Sequence, residues 1–198
     1  MERVRVALAT KNPGKVREIA AIVSEAGVDL QGPSPSWAPP PETEPSYRGN
    51  ALLKAHSLAV ASGLPALADD SGIEVFALGD RPGHLSARYA GEGASDEANL
   101  DKLLAEARAI PEGSRGARYR CVAVLVTPEG KEEVSEATFE GCLILEPRGT
   151  NGFGYDPIFV PAGMERTAAE LSPEEKDAIS HRGKAFRGLL PALRALGA

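Results

Sequence analysis

The sequence predicts an α/β protein built on a mixed sheet, a single domain over residues 1–198 with two lobes around a groove. Three observations carry that expectation. Short apolar strands alternate with amphipathic helices through the first half, a long two-stranded hairpin then interrupts the alternation, and the chain closes in helix. With 42% hydrophobic and 25% charged residues, the chain has enough apolar content to form a core without disulfide staples.

Val4, Val6 and Leu8 alternate with other residues and predict a first strand. Asn12 suits a helix N-cap, Pro13 the first helical position and Gly27 the C′ position, so a helix is expected through about Ala26. Its apolar stripe is Val16, Ile19, Ala20 and Val23. Residues 32–45 are Pro-rich, hold Trp37 and Glu42, and lack a helical period; an ordered loop over a cleft and a flexible cover are both open. A second helix is expected over 46–62, with Leu52, Ala55, Leu58 and Ala59 inward. Residues 66–69 read as a short strand ending in acids, and 73–78 as another. Ser95 caps a third helix striped by Leu100, Leu103, Leu104 and Ala107. Residues 119–126 and 133–145 predict the hairpin, turned at Pro128-Glu129-Gly130. Ser172-Pro173-Glu174-Glu175 has the capping-box pattern and opens the terminal helical region, whose buried side is Ile179, Phe186, Leu189, Leu190 and Leu193.

The formal charge of −6 argues against general nucleic-acid binding, which relies on a basic surface, but leaves room for a small polyanion at a local cationic cluster. The apolar run at 4–9 is too short for a signal segment, and nothing approaches the roughly 20 apolar residues of a membrane span. A cytoplasmic enzyme without nucleic-acid or membrane partners is expected. The only cysteines, Cys121 and Cys142, lack zinc spacing and are expected to be reduced packing residues.

Four segments can carry chemistry. Thr10-Lys11-Asn12-Pro13-Gly14-Lys15 joins a strand to a helix N-terminus, where exposed amides and positive partial charge attract phosphate. It lacks the Walker A pattern, and a capped helix with solvated lysines is the plain alternative. Asp69-Asp70-Ser71-Gly72 offers paired carboxylates for a hard cation or for proton transfer, against a polar turn. Gly149-Thr150-Asn151-Gly152-Phe153-Gly154-Tyr155-Asp156-Pro157 brings aromatics into a tight loop, either to stack on a base or to bury Phe153 in a core. Lys176 with Ser180-His181-Arg182 offers donors for phosphate or a carbonyl oxygen, or else a solvated helical face. His56 and His84 read as structural.

The set LATKNPGKVREI at 8–19, LADDSGIEV at 67–75, RPGHLSARYAG at 81–91, GTNGFGYDPIF at 149–159 and ELSPEEKDAISHRGKA at 170–185 resembles the inosine triphosphate pyrophosphatase family, over nearly the whole chain. The resemblance implies an elongated mixed-sheet α/β fold with two lobes around a central substrate cleft, homodimers, and Mg²⁺-dependent cleavage of inosine, deoxyinosine and xanthosine triphosphates to monophosphate and pyrophosphate. It implies Asp70 as proton acceptor and Mg²⁺ ligand with Asp69 beside it. Thr10, Lys11, Asn12, Pro13, Gly14 and Lys15 would meet the phosphates, and Ser71 the substrate. Phe153, Gly154, Tyr155 and Asp156 would line the nucleoside pocket, Lys176 would touch substrate, and His181 with Arg182 would read the purine edge. One departure stands out: Pro41-Glu42-Thr43-Glu44-Pro45 replaces the family's acidic Glu-Glu-Thr-Gly-like stretch, and Gly49 precedes Asn50-Ala51 where a Glu is usual. Glu42 is the best match for a further metal ligand and Glu44 the alternative. Two rivals are a Maf-like pyrophosphatase, against which the SHR and FGYD segments stand, and a nucleotide-binding regulatory module without turnover.

Overall fold

A computed structural model describes residues 3–197. Its strands are β1 (Arg5–Leu8), β2 (Asp29–Gln31), β3 (Ala66–Val75), β4 (Arg81–Pro82), β5 (Gly116–Val126), β6 (Glu132–Leu143) and β7 (Phe159–Pro161). Its α-helices are α1 (Pro13–Val23), α2 (Tyr47–Ser62), α3 (Asp96–Ala107), α4 (Pro173–Ile179) and α5 (His181–Ala195). The strands form one sheet in the order β2-β1-β3-β5-β6-β7, with β4 paired to β3. β1 runs parallel to β2 and β3, whereas β4 is antiparallel to β3 and β7 to β6. The sheet is therefore mixed, as expected.

The chain packs as two compact units assembled from interleaved segments. The first holds the described residues through Asp70, Cys121–Ala137 and those from Arg182 onward; the second holds Ser71–Arg120 and Thr138–His181.

In the first unit both faces of the sheet are buried, and the two-residue period of a strand sorts the side chains. Val6, Leu8, Leu67, Cys121, Ala123 and Leu125 join a core with Ile19, Ile22 and Val23 of α1 and Phe186, Leu189, Leu190 and Leu193 of α5. Their strand neighbours Ala7, Ala9, Ala66, Ala68, Val122, Val124 and Val126 join another with Ala51, Ala55, Leu58 and Ala59 of α2. Trp37 is buried in that second core and donates from Nε1 to Ser57 Oγ at 3.2 Å, so the 32–45 segment is anchored by its one large apolar side chain. The second unit has its own core, in which Ile73, Leu103, Ala107, Tyr119, Phe139, Ile158 and Phe159 meet.

Several expectations need correction. Residues 66–69 and 73–78 are not two strands; β3 runs unbroken from Ala66 to Val75, and Phe76–Leu78 is a 3₁₀ turn. Gly72 serves close approach instead of a turn: a Cβ there would lie 2.1 Å from the Gly83 carbonyl oxygen. Val16 is half-exposed, and the α1 stripe is Ile19, Ile22 and Val23, because the first turn lies off the buried face. Cys121 is buried as expected but Cys142 is exposed, since on β6 Phe139 and Leu143 take the inward positions and leave Cys142 on the other face. The closing helix is two helices, broken where Ser180 turns extended. The short strands β2, β4 and β7 carry too few residues to show a period. Among the described residues no helix is long and apolar enough to cross a membrane.

Candidate functional site

Asp69 and Asp70 sit in mid-strand, so they project to opposite faces of β3 and do not form one chelating pair. Asp69 follows Leu67 towards α1 and α5. Lys15 Nζ lies 3.1 and 3.0 Å from its two oxygens. Arg182 donates to Oδ2 from Nε at 3.3 Å and from Nη2 at 3.2 Å, and from Nη1 to Glu18 Oε2 at 2.6 Å. Asp69, Arg182 and Cys121 are all buried. Burial alone would raise the Asp69 carboxyl, but Lys15, Arg182 and Lys54 outweigh it and hold the group well below the usual carboxylate range. The solvated helical face that Arg182 and Lys176 might have formed is absent; both side chains are interior.

Asp70 follows Ala68 towards α2. Lys54 Nζ lies 3.4 Å from Asp70 Oδ1 and 2.9 Å from Glu42 Oε1, and Asn50 Nδ2 lies 3.4 Å from Asp70 Oδ2. Lys54 and Asn50 reach inward because they share the helical stripe of Tyr47, Ala51, Ala55 and Leu58. Burial raises the Asp70 carboxyl, and the opposing pull of Lys54 and Lys15 does not cancel it. Burial would lower the Lys54 ammonium, but Asp70, Asp69 and Glu42 prevail and raise it.

Two carboxylates that converge on one buried ammonium mark a position where positive charge is held by hard oxygen donors. Those donors fit Mg²⁺, which takes few protein carboxylates and keeps waters and phosphate oxygens as its remaining ligands. Among the described residues no group of three or more His, Cys, Asp or Glu gathers to cage a metal by itself. Of the two candidate glutamates, Glu42 is the one whose carboxylate meets Lys54 beside Asp70. Glu44 packs instead over Gly49, where a Cβ would lie 2.6 Å from Glu44 Cβ, and its backbone exchanges hydrogen bonds with Asn50. The same contact accounts for the departure at position 49.

At the head of α1, Asn12 Oδ1 accepts from Gly14 N at 2.8 Å and from Lys15 N at 3.2 Å, Asn12 N donates to Thr10 Oγ1, and Pro13 has no N–H. The first-turn amides are thus taken by the cap and do not form an open cradle. What this end offers a phosphate is the Lys15 ammonium, the exposed Lys11 and the positive end of the helix.

The second unit holds the other cluster. Lys176 Nζ donates to Asp156 Oδ2 at 2.6 Å, Phe153 N to the same oxygen at 3.0 Å, and Tyr119 OH to Oδ1 at 3.2 Å. Lys176 Nζ also stands 5.2 Å over the Phe153 ring, which is half-buried and so not sunk in the core. The His181 ring stacks on Tyr119 with centroids 4.6 Å apart and planes 6° from parallel. The capping box at Ser172 and Glu175 sets the first turn of α4 and thereby Lys176. Gly152 has φ 74°, and a Cβ there would lie 2.1 Å from Asp156 Oδ2, so only glycine lets the loop close on this carboxylate. Tyr155 is buried with its hydroxyl donating to Ser86 O at 2.7 Å, and Gly154 N donates to Asp96 Oδ2. Ser71 is half-buried on β3.

Lys54, Asn50, Glu18 and Tyr119 lie outside the residues that the sequence motifs mark as functional. Lys54 and Asn50 carried a usable signal, a polar side chain at an inward helical position; Glu18 and Tyr119 carried none before the fold was known.

Comparison with known proteins agrees over nearly the whole length. A dITP/XTP pyrophosphatase of Streptomyces avermitilis is 53% identical over 196 residues, covering 97% of this chain and 98% of that one. One of Mycobacteroides abscessus is 47% identical over 198 residues, covering 98% and 96%. Among solved structures, a HAM1 protein from Coxiella burnetii superposes with a TM-score of 0.87 at 38% identity, covering 97% and 99% of the two chains. A nucleoside-triphosphatase, dITP/XTP pyrophosphatase, from Mycobacterium abscessus superposes with a TM-score of 0.75 at 47% identity, covering 96% and 100%. With residues 6–192 matching its family pattern, the chain belongs to the Ham1 family.

Proposed function

We propose that this chain hydrolyses non-canonical purine nucleoside triphosphates (ITP, dITP and XTP) to the monophosphate and pyrophosphate, and so clears damaged purines from the nucleotide pool. The observation that carries the reading is the convergence of Glu42 and Asp70 on one buried cationic position, in a chain about half identical to dITP/XTP pyrophosphatases. Glu42 and Asp70 would hold Mg²⁺, which when bound would supply positive charge against the phosphate oxygens.

Asp70 accepts the proton of the attacking water, a role suited to a carboxylate whose proton affinity burial has raised. Lys15, Lys11 and the head of α1, with Thr10, Asn12, Pro13 and Gly14 shaping the loop, take the phosphates, and Lys54 adds a further ammonium. Asp69 holds Lys15 in place rather than joining the metal, since both its oxygens already face cations. Ser71 touches substrate. Phe153 stacks on the base, Gly154, Tyr155 and Asp156 shape its pocket, and Lys176, His181 and Arg182 donate to the purine's oxygen-bearing edge. Adenine presents an amino group there, so donors aimed at an oxygen lose their partner, a costly mismatch at buried groups. The protein acts as a single-domain cytoplasmic homodimer.

The test is a product assay on inosine, xanthosine, guanosine and adenosine triphosphates with and without Mg²⁺. Pyrophosphate from the first two, dependent on Mg²⁺, is expected, with adenosine triphosphate cut poorly. Orthophosphate as the first product would place the cleavage elsewhere and refute the proposal.

A further inference from the structure

Tyr119 lies on β5, is buried, and belongs to none of the motifs that mark this family in the sequence. Its surroundings exceed what core packing needs. One face lies parallel to the His181 imidazole at 4.6 Å, while the Phe159 ring meets it in a T-shaped contact at 4.9 Å. Its hydroxyl donates to Asp156 Oδ1, on the carboxylate whose other oxygen receives both Lys176 Nζ and Phe153 N. One rigid side chain thus contacts both His181 and the carboxylate that organises Lys176 and the Phe153 loop.

We propose that Tyr119 is the positioning residue for base selection: its ring sets the plane of His181, and its hydroxyl fixes the rotamer of Asp156 and, through it, Lys176 and Phe153. The inference rests on the base-reading role given above to His181, Lys176 and Phe153. The physical argument is that discrimination between an oxygen and an amino group needs donors held at fixed angles. A donor free to turn finds compromise geometries with the wrong base. A parallel ring fixes the imidazole plane, and a donor on Oδ1 beside the two on Oδ2 fixes the carboxylate's rotation more firmly than donors on one oxygen alone. Phe159 braces the ring from the side, so the two contacts made by Tyr119 are set by one element of the core.

Two variants separate the two contacts. Tyr119→Phe keeps the ring and removes the hydroxyl with almost no change of shape, so it should fold as the parent does. Tyr119→Leu removes the stack. For Tyr119→Phe we expect the KM for inosine triphosphate to rise about 10-fold with kcat within about 2-fold, the pattern of lost substrate binding. kcat/KM for adenosine triphosphate should change less than about 2-fold, because the mismatched base never gained from those donors. The ratio between the two substrates therefore falls. Proton NMR gives a second readout: the His181 ring resonances, shifted upfield by the stacked Tyr119 ring, should keep that shift in Tyr119→Phe and lose it in Tyr119→Leu. An unchanged substrate ratio in Tyr119→Phe, or an equal loss on both substrates, overturns the inference and leaves Tyr119 a packing residue. Equal His181 shifts in both variants overturn the stacking half of it. Failure of the parent protein to release pyrophosphate from inosine triphosphate would sink the functional reading itself and is read from the parent alone.

Discussion

Asp69→Asn changes one atom and tests how the charged interior of the first unit is held. The parent carboxylate is buried and faces two cations, Lys15 and Arg182. The asparagine fits the same space but leaves both cations without that counter-charge. Removing one partner of a buried ion pair costs about 3–5 kcal/mol. Here the lower end applies, because Arg182 keeps Glu18 at 2.6 Å and Lys15 is partly reached by solvent. With a urea slope of about 2 kcal/mol per molar, a loss of about 3 kcal/mol moves the unfolding midpoint down by roughly 1.5 M. The pH dependence gives a sharper check. Asp69 is held below its unfolded value of 3.8, so the folded state binds fewer protons there than the unfolded one. Its stabilisation is complete above that unfolded value and drains away as pH falls below it towards the folded one. The gap between parent and variant should therefore be full at pH 7 and clearly smaller near pH 3. Urea titrations followed by tryptophan fluorescence at the two pH values measure it, since Trp37 is the only tryptophan. A midpoint shift under about 0.3 M at pH 7 would refute the assigned charge pairing, by the same slope. So would a gap that does not shrink in acid.

Two further substitutions address the chemistry. Asp70→Asn should lower kcat about 10²- to 10⁴-fold, the usual loss with a general base, while fluorescence titration still detects triphosphate binding; turnover within about 3-fold of the parent would remove Asp70 from the reaction. Lys54→Met should have opposite effects on two ligands, because the ammonium both occupies the Glu42–Asp70 position and can pair with phosphate. Without substrate, Mn²⁺ titrated calorimetrically should bind the variant more tightly than the parent, whereas the KM for inosine triphosphate should rise. Weaker Mn²⁺ binding would show that Lys54 does not compete for those carboxylates.

What the sequence revealed and what it concealed follow from the range of the interactions concerned. Asn12 with Pro13 and Ser172 with Glu175 were legible as helix starts because a cap is satisfied within a few residues of itself, and both act as read. The β5–β6 hairpin was legible for the same reason, with its turn signals at Pro128-Glu129-Gly130 between two strand-forming stretches. Asp69-Asp70-Ser71-Gly72 misled because its local chemistry is that of a turn, while its actual state is set by partners far along the chain. Lys15 lies 54 residues away from Asp69 and Arg182 lies 113. Strand pairing and those cations together overrule the local preference, and the alternation of the strand then assigns the two acids different work. Asp69 becomes a counter-charge inside the protein and Asp70 a group directed at Lys54 and Glu42. Adjacent letters in a motif need not share a task. Wherever such a pair falls in a strand buried on both faces, the expectation should be two sites or one site and its support, and the ion pairs decide which. Tyr119 makes the same point from the other side. No local pattern on β5 marks it out, yet its hydroxyl reaches Asp156, 37 residues on, and its ring lies against His181. Its role depends on the strand, the Asp156 loop and the His181 end of α5 lying together.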